Sequence, residues 1–402
     1  MSGGESSASD RPEGSPGDGW LGSPPAPYEI AATLFAGVTG IMFAGVGPLL
    51  LGSLEHAGRL STSQIGQAGT IELLALGLAA GLTGSVAGTR RLRPLAIVSG
   101  LLIALFNGLT IWSDGWSLVV LRGLAGLPSG ALVWLMTALI VRAPRPERWA
   151  AIYLTVQTLA QFVVVAALGS WILPSFGVNG GFAVLSVLGA MATVAGAVIP
   201  RRLSPLPVTD TEPSGLPTPR GLSALAAAFC FNAAILALWI YIEPLSRQSG
   251  HPAGTADLAL VLSLAAQVIG GLLATLLAGR VRWLPALLAS QAAMAMLMLL
   301  FASAPGRDPF LVAATLFGGL WMFAAPLLVP LAIEADPTRR SASLGSGAAL
   351  LGCSAGPLIA SMMVGAGNVS VAAVVGSCLM VAAIAIVLLV HSTRRTKSEP
   401  TP

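Results

Sequence analysis

The stretch WSLVVLRGLAGLPSGALVWLMTALIV, residues 116–141, decides what kind of protein this is. It is an apolar helix longer than the roughly 20 residues needed to cross a bilayer. One charged residue, Arg122, sits inside it. An arginine at the centre of a spanning helix costs roughly 2.5–3.5 kcal/mol on insertion scales. A chain that keeps such a residue needs a partner for it, or a task.

On either side of this stretch, the same apolar character fills most of the chain. Of 402 residues, 55% are hydrophobic and only 9% charged, against about 25% charged in a soluble domain. The expected fold class is an all-α polytopic membrane protein. A membrane barrel would show segments of about 10 residues alternating polar and apolar, and none occur. The other spanning runs are read at 28–51, 64–86, 95–112, 150–173, 181–199, 221–244, 256–278, 284–302, 310–333, 343–364 and 369–390. The domain plan is then a disordered cytoplasmic tail (1–27), six helices (28–199), a proline-rich linker (200–220), six more helices (221–390) and a short basic tail (391–402).

Arginine placement orients the helices, because basic residues accumulate on the cytoplasmic side. With both termini cytoplasmic, 17 of the 21 Lys and Arg residues fall in inner segments. Only Arg59, Arg247 and Arg307 fall outside, and Arg122 lies within the membrane. One missed helix would scramble that bias, so it also supports the count of twelve. A multi-pass protein of the cytoplasmic (inner) membrane is expected.

The two halves echo each other. GTRRLRP (88–94) recurs as GRVRWLP (279–285), and APRPERWA (143–150) as ADPTRRSA (335–342), displaced by 191 and 192 residues. A parallel duplication of a six-helix unit follows. GSVAGTRRLRP (84–94) resembles the Gly-rich basic loop after the second helix of the major facilitator superfamily, with Gly84, Arg90, Arg91 and Arg93 in the gating loop. Gly88 stands where that family usually has an acid, as does Gly279 in the second copy. LRGLAGLPSG resembles the family's arginine–glycine pattern of the fourth helix through Arg122, Gly126 and Gly130. The Gly-Pro run of drug/proton antiporters is missing from the fifth helix, and a similar run, GCSAGPLIA (352–360), lies in the eleventh. The resemblance implies two six-helix bundles that rock about a central site, moving a small solute by alternating access.

Besides Arg122, only Glu72 places a charge deep in an apolar run. At 1.5 Å per residue, Glu72 lies roughly 12 Å below the outer end of the second helix and Arg122 roughly 9 Å below that of the fourth. The matched depths predict an ion pair. Three readings stay open: Glu72 as a proton-coupling carboxyl, Arg122 as a receptor for a substrate carboxylate, or a static pair holding two helices. Near mid-depth lie Gln157, Gln161, Asn232, Trp239, Gln267 and Trp321, the candidate substrate cavity. Asn107 and Gln291, in the third and ninth helices, are read as helix–helix hydrogen-bonding groups. Such a cavity suits an aromatic or weakly acidic solute, with proton-coupled uptake expected and drug or metabolite efflux the alternative. A non-transporting sensor or scaffold is the reading from another class.

Other chemistries find no machinery. No Walker loop or Ser-His-Asp arrangement is present. No metal-ligand cluster occurs, so no metal site is expected; His56, His251 and His391 sit in loops or at a helix end, so no histidine proton relay is expected, and no cofactor beyond a proton gradient. Cys230, Cys353 and Cys378 fall in apolar runs and read as packing residues. No basic tract suits nucleic acid. The partners expected are the solute and the bilayer, around a monomer.

Overall fold

A computed structural model describes residues 20–60, 62–88, 91–206, 216–252, 254–364 and 368–395. Helices α1 (Pro27–His56), α2 (Thr62–Ala87), α3 (Leu92–Thr110), α4 (Gly115–Ile140), α5 (Pro146–Ala167) and α6 (Leu173–Gly196) form the first half. The second half holds α7 (Pro219–Trp239), short α8 (Ile242–Gln248), α9 (Thr255–Leu277), α10 (Trp283–Ala302), α11 (Arg307–Ala324), α12 (Leu328–Ala335), α13 (Arg340–Met363) and α14 (Ser370–Arg395).

Eleven spans among the described residues are long and apolar enough to cross a bilayer. One of them, Pro146–Gly196, runs for 51 residues, about twice what one crossing needs. It is two crossings joined without an ordinary loop. A π-helical turn, Leu168–Ile172, leads into α6, and Gly177 breaks that helix at φ 62° and ψ −168°. Without a Cβ, glycine reaches that geometry at no steric penalty. Two bonds fix the path. Asn179 accepts from Arg59 in the α1–α2 connection, while the carbonyl of Ile199 accepts from Arg93 at the start of α3. The chain therefore crosses from the arginine-rich face to the other and returns.

The closest helix approaches are set by small residues. A Cβ at Gly126 or Gly130 of α4 would collide with the backbone carbonyls of Glu72 and Leu76 on α2. Gly352 and Gly356 of α13 meet α7 the same way, at the carbonyls of Phe229 and Ala233. In lipid, where apolar burial does not drive association, such backbone contact is a main source of packing. The α2–α4 seam is also what places Glu72 and Arg122 within reach of each other.

The halves meet mainly through α2 with α13 and α5 with α9. Gly81 lies against Gly347, and Gly271 against Thr155. Counting from the arginine-rich helix ends, these contacts sit roughly 10 Å deep. The interface is thus drawn together on the arginine-rich side.

Residues 20–26, expected to belong to a disordered tail, instead lie on that face. Trp20 packs on Trp149 with ring centroids 5.8 Å apart, and the Leu21 amide donates to the Arg142 carbonyl at 2.9 Å. An aromatic pair and a backbone bond anchor a segment whose composition alone argues for disorder. The rest of that tail (1–19), linker residues 207–215 and the C-terminal residues 396–402 lie outside the described residues.

Candidate functional site: a buried ion pair and the polar groups around it

Arg122 is fully buried and Glu72 is 1% exposed. Arg122 Nη1 stands 3.6 Å from Glu72 Oε2, as the matched depths predict. The rest of the guanidinium's environment comes from other helices. Nη1 donates to Asn107 Oδ1 at 3.1 Å, and Nη2 donates to Thr110 Oγ1 at 2.7 Å, both on α3. The rings of Phe43 on α1 and Phe182 on α6 lie 5.2 and 5.0 Å from the guanidinium carbon. Four helices besides its own thus enclose one cation, with two aromatic faces supplying cation–π attraction. Arg122 exposes no surface to a solute in this state.

The pair is lopsided. Arg122 has an amide, a hydroxyl and two rings besides its carboxylate, although its Nε makes no hydrogen bond. Glu72 Oε2 accepts no hydrogen bond, and its approach to Arg122 is longer than one. Removing the charge from Glu72 would therefore leave Arg122 still held.

Thr110 extends the network outward. Its carbonyl accepts from Arg59 Nη2 at 2.6 Å. Arg59 also donates to Asp114 at 2.7 Å and to Asn179 at 2.7 Å. One arginine therefore ties together the connections at the face opposite the arginine-rich one. In the sequence, Asn107 reads only as interhelical glue, Arg59 only as an outer-loop arginine, and Thr110, Phe43 and Phe182 carry no role. The amide is visible there as an intramembrane polar group. The aromatic pair is not, because its members come from distant helices and look like ordinary core residues.

The cavity candidates divide. Trp239 and Trp321 meet edge to face, centroids 5.9 Å apart at 68°. Gln157 is half-buried. Gln161 instead donates to the Ile41 carbonyl on α1 at 3.0 Å, and Tyr153, two turns before it, donates to the Gly37 carbonyl at 3.1 Å. Gln161 therefore turns toward α1. Asn232 bonds back to Ala228 in its own helix at 2.8 Å and faces the Cys353 thiol at 3.9 Å. Gln267 is 3% exposed, with an unbonded amide nitrogen. Gln291 is expected to bond between helices, yet both of its amide atoms are buried without a partner.

In the basic loop, Gly84 lies against the Trp134 indole and Gly88 takes φ 60°. Arg91 is exposed. Arg93 donates to the Ile199 carbonyl at 2.7 Å and lies 3.8 Å from Glu29, so it ties α1, α3 and the end of α6 within one half. Arg90 lies outside the described residues. A link between halves comes from elsewhere. Arg339, before α13, donates to the Val141 carbonyl at the end of α4 at 2.5 Å.

Comparison with known proteins agrees with this architecture. The structure is similar to a major facilitator transporter, FucP, in its outward conformation, with a TM-score of 0.72 and 16% identity over 90% of this chain and 98% of that one. A variant of the Escherichia coli fucose:proton symporter FucP gives 0.69 and 17% over 90% and 98%. The human organic anion transporter MFSD10 (TETRAN) gives 0.69 and 16% over 91% and 100%. No curated protein sequence matches the chain. The sequence profile of the Major Facilitator Superfamily matches residues 30–350. With that match over most of its length, and two six-helix halves meeting on one face, the chain belongs to the major facilitator superfamily of membrane transporters.

Proposed function

We propose that this transporter couples proton entry to uptake of an aromatic or weakly acidic solute, with Glu72 as the proton-carrying group. The observation that carries this reading is the lopsided pair. A coupling carboxyl must be stable both charged and neutral. Glu72 is nearly fully buried, which favours the neutral form. Its neighbour Arg122 favours the charged form. Because Arg122 keeps Asn107, Thr110 and two aromatic faces in either case, protonating Glu72 removes its counter-charge but leaves its hydrogen bonds and cation–π contacts in place. A purely structural pair would be expected to share more of its hydrogen bonds.

The solute site is assigned to the interface between halves, at Gln157, Gln267, Trp239 and Trp321, with Asn232 and Gln161 bordering it. Indole faces suit an aromatic or amphipathic solute. The likeness to a fucose:proton symporter supports uptake with protons, and that to an organic anion transporter supports a weakly acidic solute. Arginine distribution supports a cytoplasmic position for both termini and a place for the protein in the cytoplasmic membrane. The protein is proposed to work as a monomer.

The test is Glu72→Gln in proteoliposomes. Uphill accumulation driven by a pH gradient should be lost, while gradient-free exchange of labelled solute continues. Full uphill transport with an unchanged pH profile would remove Glu72 from coupling. A parent protein that binds solute but moves none would point to a sensor instead.

A further inference from the structure

A second polar feature lies on the arginine-rich face, away from the ion pair and the solute interface. A cleft of about 600 Å³ opens between residues 20–25, the start of α1 and residues 200–204 after α6. Its charged lining is Arg93, Arg142, Arg201 and Arg202 against a single carboxylate, Glu29. Arg142 is 3% exposed and held in place, donating to the carbonyls of Ser204 and Ala138, each at 2.7 Å. Arg201 and Arg202 are exposed at the mouth. A cavity with a fixed cation in its wall and two exposed ones at its rim favours an anion. Arginine suits phosphate in particular, through paired N–H donors.

The cleft also adjoins the contact between halves. Arg142 follows Val141, whose carbonyl accepts from Arg339 of the other half. Burial and the nearby Arg339 charge push the Arg142 guanidinium down to about 10. The two cations repel each other across the closed interface. An anion beside Arg142 would offset that repulsion while the halves are together on this face, and the benefit disappears when they separate. Linkage then requires the anion to favour the state closed on the arginine-rich side.

We propose that this cleft binds a phosphate-bearing anion, either a lipid headgroup or a soluble phosphate, and that its occupancy stabilises the state closed on the arginine-rich face.

The experiment uses the full chain in nanodiscs of phosphatidylcholine, with and without phosphatidylglycerol, and separately with inorganic pyrophosphate. Spin labels at Arg148 and Arg280, exposed residues of the two halves on this face, report closure, and a thermal melt reports binding. Phosphatidylglycerol or pyrophosphate should raise the melting temperature and narrow the label distances toward the short population. Arg201→Gln/Arg202→Gln removes only exposed side chains, so it should fold, and its half-saturation for the effective anion should be about tenfold weaker. A response to phosphatidylglycerol alone assigns the ligand to lipid, and a response to pyrophosphate assigns it to a soluble phosphate. The proposal is overturned if neither anion moves either readout, if binding leaves the label distances unchanged, or if the double variant responds as the parent does. None of these readouts needs solute or a proton gradient, so failure here leaves the role of Glu72 untouched.

Discussion

The two halves share a fold but handle buried polarity in opposite ways. The first half buries a carboxylate and a guanidinium, and surrounds the cation with Asn107, Thr110, Phe43 and Phe182. Among the described residues, the helix interiors of the second half hold amides, hydroxyls and indoles instead. Several of these are incompletely bonded, as at Gln267, Gln291 and Ser263. The contrast indicates where each task can sit. A charge in lipid demands a fixed cage, which suits a group that changes protonation while its surroundings stay put. Neutral amides and an edge-to-face indole pair tolerate rearrangement, which suits a surface that must take up and release a solute.

The largest effect comes from breaking the cage itself. Arg122→Ala leaves the Glu72 carboxyl buried without its cation, and loss of one partner of a buried pair costs about 3–5 kcal/mol. A thermal melt in detergent should show a large drop. The double variant Glu72→Leu/Arg122→Met should recover most of that stability, because replacing both charges by apolar groups is often neutral, while remaining uncoupled. If the double variant melted as low as Arg122→Ala, charge pairing would not be what the cage provides.

Asn107→Ala comes next. It removes a hydrogen bond to a buried cation, worth about 1.5–3 kcal/mol, and should lower the melting temperature and shift the pH dependence of transport together. An effect on stability alone would reduce Asn107 to packing. In the second half, Trp239→Phe keeps a ring against the core and should leave the melt nearly intact. It should raise KM about threefold to tenfold with kcat unchanged, as expected when ground-state binding is lost. An unchanged KM would take the indole pair out of the solute site. The smallest effect belongs to Arg339→Gln, which weakens one charged hydrogen bond between halves but also relieves the repulsion with Arg142, for a net ~1 kcal/mol toward opening. Spin-label distances across the arginine-rich face should lengthen in part of the population. If they do not, the glycine seams alone hold that face closed.

Much of this architecture is legible in the amino-acid sequence. Hydropathy and arginine bias locate the spans, because lipid permits few alternatives to a helix and insertion follows charge. The Glu72–Arg122 pair is legible because 1.5 Å per residue turns sequence position into depth. The glycines at 126 and 130 are visible as a seam, though not as the seam that joins α4 to α2. The cavity is harder to read. Gln161 looks like a lining group, yet it finds a carbonyl on α1. Depth says how far down a side chain lies and nothing about which way its helix is turned.

The number and depth of the spans and the pairing of two charges thus follow from sequence alone, since both rest on the energetics of single helices in lipid. What surrounds Arg122, which amides face the interface and where the halves close are settled only in the folded bundle. Those depend on the rotation of each helix about its own axis, set by contacts among residues far apart in the chain. That is why Asn107, Thr110, Phe43 and Phe182 form the cage of Arg122, although nothing local in their sequence singles them out for it.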